Sequence, residues 1–218
     1  MKQLTILFKK DIFLFWRDTS SWIAGLAFGV ISIILYALAI DIFILEIQLI
    51  LPGLMWVTFL FCGILITSNS FENELNEGFI DGLRIMNVPM VFIAISKILV
   101  NFIFIFSTEM VLIFISVLFF NIEIKSYTML IPISFITLGF VSLLTCLSPI
   151  SYKAPTGTII TYIFGIPLLI PLILAATKIT YSLFGITVLE NHWLLLGILF
   201  SFWQIIMSVI LFQFIINE

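Results

Sequence analysis

The chain has 218 residues, 62% of them hydrophobic and 10% charged, with a net charge of −3. A water-soluble fold of this length cannot hide so large an apolar share, which excludes a soluble domain and leaves a bilayer as the solvent. The slightly acidic balance carries no basic footprint for nucleic acid.

Residues 2–18 mix Lys2, Lys9, Lys10 and Arg17 with Leu4, Leu7, Phe8, Ile12, Phe15 and Trp16. That mixture predicts a helix lying in the membrane interface, with bases toward anionic headgroups and rings in the acyl boundary. Apolar runs follow at about 22–40, 51–69, 90–119, 128–148, 155–177 and 193–216. A helical crossing takes about 20 apolar residues, and the runs lack the alternation of barrel strands. The expected fold is therefore an all-α polytopic membrane protein, one membrane domain over 1–218, with six transmembrane helices. Ala37-Leu38-Ala39 has the form of a signal-peptidase site, but the segment before it is too long and carries Phe and Trp among its charges. It is read as a retained first span.

Placing the N-terminus in the cytoplasm puts Lys2, Lys9, Lys10, Arg17, Arg84, Lys97 and Lys153 on that side and leaves Lys125 and Lys178 outside. This is a positive-inside bias, and six spans return the C-terminus to the cytoplasm.

The segment "SFENELNEGFIDGLRIMNVP", 70–89, then falls on the cytoplasmic side between the second and third spans. Wound as a helix, it gathers Phe71, Leu75, Phe79 and Met86 on one face and Asn73, Glu74, Glu77, Asp81 and Arg84 on the other. Gly78 and Gly82 each weaken it by about 1 kcal/mol relative to Ala. With Glu72, four acids stand against a single base, so an anionic leaflet repels the polar face. An apolar ridge with an acidic flank and glycines suits docking in a groove on another protein. A solvated loop kept polar to fix topology fits the same residues.

Elsewhere, Glu109 lies well inside the third span, where a charge costs about 2.5–3.5 kcal/mol or more. It is read either as a proton or substrate contact or as a protonated acid bonded to a neighbouring helix. Lys97, about two turns into that span, is expected to snorkel to the cytoplasmic end as an anchor. Pro167 and Pro171 should kink the fifth span and free carbonyls that neighbours must satisfy, as a hinge or as a packing shape. Gly25-x-x-x-Gly29 permits close helix approach, within the chain or between copies. His192, followed by Trp193, is read chiefly as an interface-belt residue, with haem ligation as the minor alternative. Cys62 and Cys146 are expected to be core residues, and no metal site is expected. No G-x-x-x-x-G-K-[ST] occurs, so any ATP site belongs to a partner and the chain is not expected to be an enzyme.

"LPGLMW" (51–56), "FENELNEG" (71–78), "VPMVFIAISKIL" (88–99) and "GIPLLIPLILAAT" (165–177) follow one another in an order that resembles the CcmB family of cytochrome c maturation. The resemblance covers most of the chain and is most specific from Leu51 to Lys97. It implies a membrane subunit of an ABC-type haem-handling complex. The 70–89 segment would be the coupling helix seated on a CcmA-like ATPase subunit, with Phe71, Glu72, Glu74, Leu75, Glu77, Gly78, Phe79, Asp81 and Arg84 in the docking region. Lys97 would belong to the same ATPase-facing region, and Pro52, Gly53 and Trp56 would mark the outer start of the second span. It also implies CcmC-like and CcmD-like membrane neighbours and a CcmE-like haem chaperone. Haem would be a handled ligand rather than a resident cofactor. The loop "SYKAPTG", 151–157, departs from the more basic stretch such a subunit would show. An ABC-2 permease for another substrate and a non-transporting membrane scaffold are the alternatives.

Overall fold

The computed structural model describes residues 2–40, 47–68, 70–71, 89–153 and 157–217. Among them are seven α-helices and no strand: α1 Lys2–Arg17, α2 Ser20–Ala39, α3 Ile47–Thr67, α4 Met90–Phe120, α5 Leu130–Lys153, α6 Gly157–Leu183 and α7 Asn191–Asn217. A 3-10 turn, Tyr127–Met129, leads into α5. Helices α2 to α7 are each long and apolar enough to cross a membrane. The all-α, six-span expectation therefore holds. Residues 72–88, which carry most of the acidic segment, lie outside the described residues.

The bundle runs up and down, so α1 and the ends Thr67, Met90 and Lys153 share one end. Helix α3 is enclosed by α2, α4, α5 and α6, while α5 packs chiefly on α7 and α6 and also on α4. Helices α2 and α7 keep most of their surface outward, with Leu38, Leu199 and Phe202 among the exposed side chains. In a bilayer that exposure needs no cover, because lipid tails are as apolar as the side chains.

Small residues set the closest approaches. A Cβ on Gly25 would meet Ile66 at 2.7 Å, and one on Gly29 would meet Leu112 at 2.5 Å. The Gly25/Gly29 face is thus filled by α3 and α4 of the same chain, and the Cys62 thiol donates to the Gly25 carbonyl at 3.1 Å. Of the two openings left by the motif, approach within the chain is the one taken. At Gly139 a Cβ would lie 2.7 Å from the Ser201 Cα, so α5 and α7 touch nearly backbone to backbone.

Helix α1 is more than a raft. Its inward side buries Leu7 and Asp11 against the bundle, and Phe15 stacks on Phe104 with ring centroids 3.7 Å apart. Its outward side exposes Ile6, Phe13 and Trp16, each about two-thirds accessible, beside Lys9 and Arg17. That face matches the apolar and basic mixture of an interfacial helix. Between α1 and α2, Asp18 Oδ1 accepts from the Ser20 hydroxyl at 2.6 Å and the Ser20 backbone N–H at 3.2 Å. These bonds hold the Asp18 carboxyl below its ordinary pKa and satisfy a donor at the start of α2.

Candidate functional site

At the α1 end, five elements converge where the chain leaves α3. Lys97 on α4 is buried, although a lysine two turns inside a span was expected to reach for headgroups. The reason is a counter-charge inside the protein: Lys97 Nζ lies 3.5 Å from Asp11 Oδ1 on α1. Lys97 Nζ also donates to the Ser70 carbonyl at 2.8 Å. Asp11 is buried too, is flanked by Lys10 at 2.9 Å, and accepts a short hydrogen bond from the Ser96 hydroxyl. Burying one of these charges without the other would be costly, so the pair fixes where α1 sits on α4.

Beside them, Asn101 Nδ2 donates to the Ser70 hydroxyl at 3.0 Å and to Thr145 Oγ1 on α5 at 2.9 Å. Phe71 completes the junction, with its ring centroid 5.3 Å from that of Phe212 on α7 and 5.3 Å from Lys97 Nζ. Phe71 is 1% exposed. It is therefore withdrawn from the apolar docking ridge on which the sequence reading placed it: its ring is spent inside the chain's own core. Glu72, Glu74, Leu75, Glu77, Gly78, Phe79, Asp81 and Arg84 lie outside the described residues. A cavity of about 50 Å³ lies against the junction, lined by Asp11, Asp18, Ser21, Ser70, Lys97 and Asn101 among others. Polar walls and that volume suit a few ordered waters.

Deeper in the bundle, Glu109 is fully enclosed on α4, and Thr137 Oγ1 on α5 donates to its Oε2 at 2.6 Å. Asn101–Thr145 and Glu109–Thr137 are eight residues apart on each helix and run in opposite directions. Both belong to one antiparallel register of α4 on α5, as rungs about 12 Å apart. Near the same level, Trp22 Nε1 on α2 donates to Thr108 Oγ1 at 3.0 Å.

The prolines of the spans have partners that sequence reading did not name. Helix α6 is continuous through Pro167 and Pro171. Gln204 Nε2 on α7 donates to the Leu168 carbonyl at 2.9 Å, three residues before Pro171. Pro52 in α3 repeats the device: the Tyr181 hydroxyl donates to the Leu49 carbonyl, again three residues earlier. A proline ring crowds the turn before it, and in each case a carbonyl of that turn takes a donor from a neighbouring helix. Trp56 Nε1 joins α3 to α6 through Thr180 Oγ1 at 2.9 Å.

At the opposite end, His192 Nδ1 lies 3.1 Å from Glu190 Oε2, both exposed, and its ring centroid is 5.0 Å from that of Trp193. Lys178 lies over the Tyr181 and Trp193 rings. Among the described residues no three His, Cys, Asp or Glu side chains gather as a metal site.

Two of these features had a signal in the sequence. Asp11 is the lone acid of α1, among its four bases. Asn101 is a polar residue one turn beyond Lys97. A family model described as CcmB protein matches residues 2–216 of the chain. No curated protein matches it.

Proposed function

Because the chain belongs to the CcmB family, a family of membrane components of haem exporter ABC systems, we propose that it converts nucleotide hydrolysis on a partner ATPase into movement of its own helices. The partner is a CcmA-like subunit, seated on the acidic 72–88 segment at the cytoplasmic face of the inner membrane. The cargo is haem, either carried outward or released with a CcmE-like chaperone. CcmC-like and CcmD-like neighbours complete the complex. Both termini lie in the cytoplasm.

One observation carries this reading. The first residues of the segment, Ser70 and Phe71, are held by side chains of three helices, Lys97 and Asn101 on α4, Thr145 on α5 through Asn101, and Phe212 on α7. Lys97 extends the hold to Asp11 on α1. A push on 72–88 therefore reaches α1, α4, α5 and α7 through short, buried contacts, as a two-state helix movement requires. A solvated loop kept polar only for topology has no use for such an anchorage.

The Glu74→Lys/Glu77→Lys double variant tests the docking. Like-charge juxtaposition at an interface costs several kcal/mol, so recovery of the ATPase on co-purification should fall about tenfold or more. Unchanged recovery defeats the docking role. Pairing the native chain with a hydrolysis-dead ATPase separates transducer from scaffold: the transducer loses c-type cytochrome maturation, and a scaffold keeps it.

A further inference from the structure

We propose that Glu109 is a proton-binding site on the α4–α5 seam, occupied by a proton while the seam is closed. Three features of the site lead there. Glu109 is 1% exposed, in a helix that crosses the membrane. Its Oε2 is met by the Thr137 hydroxyl, while its Oε1 has no hydrogen-bond partner among the described residues. And among the described residues the elements packed on α4 bring it no counter-charge at this level.

On α1, Asp11 pairs with Lys10 and with Lys97, the latter three turns from Glu109 along α4, while Lys9 and Arg17 are exposed on the outward side. On α2 the titratable group is Tyr36, engaged with Thr58 on α3 at 2.9 Å. Helix α3 offers the buried Cys62 thiol and α5 the buried Cys146 thiol, neither of them a cation; Tyr152 and Lys153 stand at the last turn of α5, about four turns beyond Thr137. On α7 there is His192, exposed at the far end of the bundle. A carboxylate in this position would hold its charge with a single hydroxyl donor and no cation. A carboxylic acid needs neither, because it is neutral and keeps one oxygen for the Thr137 contact.

The site is also gated by its own geometry. Ile105, Leu112 and Ile113, within a turn of Glu109 on its own helix, and Ile133, Ile136 and Phe140, within about a turn of Thr137 on α5, are all buried, and Glu109 itself is 1% exposed. Parting of the two helices admits water, and the carboxyl then releases its proton to that water. Re-closing takes a proton back from water, with no other bond made or broken. Helix movement at the seam thus carries a protonation event with it. This inference stands independently of ATPase docking, since it depends only on α4 and α5.

Infrared spectroscopy tests it on the chain purified with its native partners in lipid nanodiscs near neutral pH. The spectrum of the native complex minus that of the Glu109→Gln complex should contain a protonated-carboxyl stretch that shifts in D2O. A difference showing only carboxylate bands overturns the proposal. Should Glu109→Gln fail to assemble, the difference is taken against the Glu109→Asp complex instead, in which the protonated-carboxyl stretch should be displaced in frequency. No displaced protonated-carboxyl band overturns the site.

Discussion

Replacing Lys97 by Met gives the sharpest test of how α1 is held. The change keeps the apolar stem but removes the ammonium that lies 3.5 Å from Asp11 and donates to the Ser70 carbonyl at 2.8 Å. Removing one partner of a buried ion pair costs about 3–5 kcal/mol, because the other charge is left enclosed. Here Lys10 stays 2.9 Å from Asp11 with its side chain 26% exposed, which shields part of the orphaned carboxylate. The cost should therefore fall toward the lower end, at about 3 kcal/mol. Asp11→Asn alone should be comparably harmful, since it leaves Lys97 buried beside a neutral amide. The Asp11→Asn/Lys97→Met double variant removes both charges and should recover part of the loss, with a coupling of about 1–3 kcal/mol. Unfolding midpoints of the purified complex in nanodiscs, taken across the four members of the cycle, measure that coupling. Strict additivity of the two single variants would refute a direct Asp11–Lys97 interaction and with it the account of α1 docking. Limited proteolysis of α1 provides a second readout, since the single variants should release the arm and the double variant should release it less.

Two glycines give opposite expectations from the same substitution. Gly139→Ala places a Cβ 2.7 Å from the Ser201 Cα, a backbone atom that no rotamer change can move, so α5 and α7 must separate at a cost of about 1–3 kcal/mol. Gly53→Ala meets nothing within 4 Å and should leave the unfolding midpoint unchanged or raised. In α7, Gln204→Leu removes the donor to the Leu168 carbonyl beside Pro171 and should destabilise by about 0.6–1.7 kcal/mol. The same change combined with Pro171→Ala should cost less, because loss of the ring's crowding lets the Leu168 carbonyl close on the Leu172 N–H of its own helix; an equal cost in both backgrounds would separate Gln204 from the proline.

Sequence alone determined the solvent, the number of crossings and the interfacial arm. Each of these follows from transfer free energy summed over a local window, so runs of apolar residues and a basic, aromatic N-terminus were sufficient. It also carried the family resemblance, through the segments from Leu51 to Lys97. What faces what was decided only in three dimensions. In water, a helix announces its buried side by its apolar stripe. In lipid, the inward and outward sides are both apolar, and hydropathy is blind to azimuth. Hence Gly25 and Gly29 left open a surface between copies, and Phe71 a ridge turned to a partner, until packing placed all three inside the chain. The partners that matter are also remote: Asp11 for Lys97, Thr137 for Glu109, and Tyr181 for the Leu49 carbonyl, the last 132 residues away. A buried charge or a freed carbonyl states in the sequence that it needs a partner. Only the register of one helix against another supplies which partner it gets.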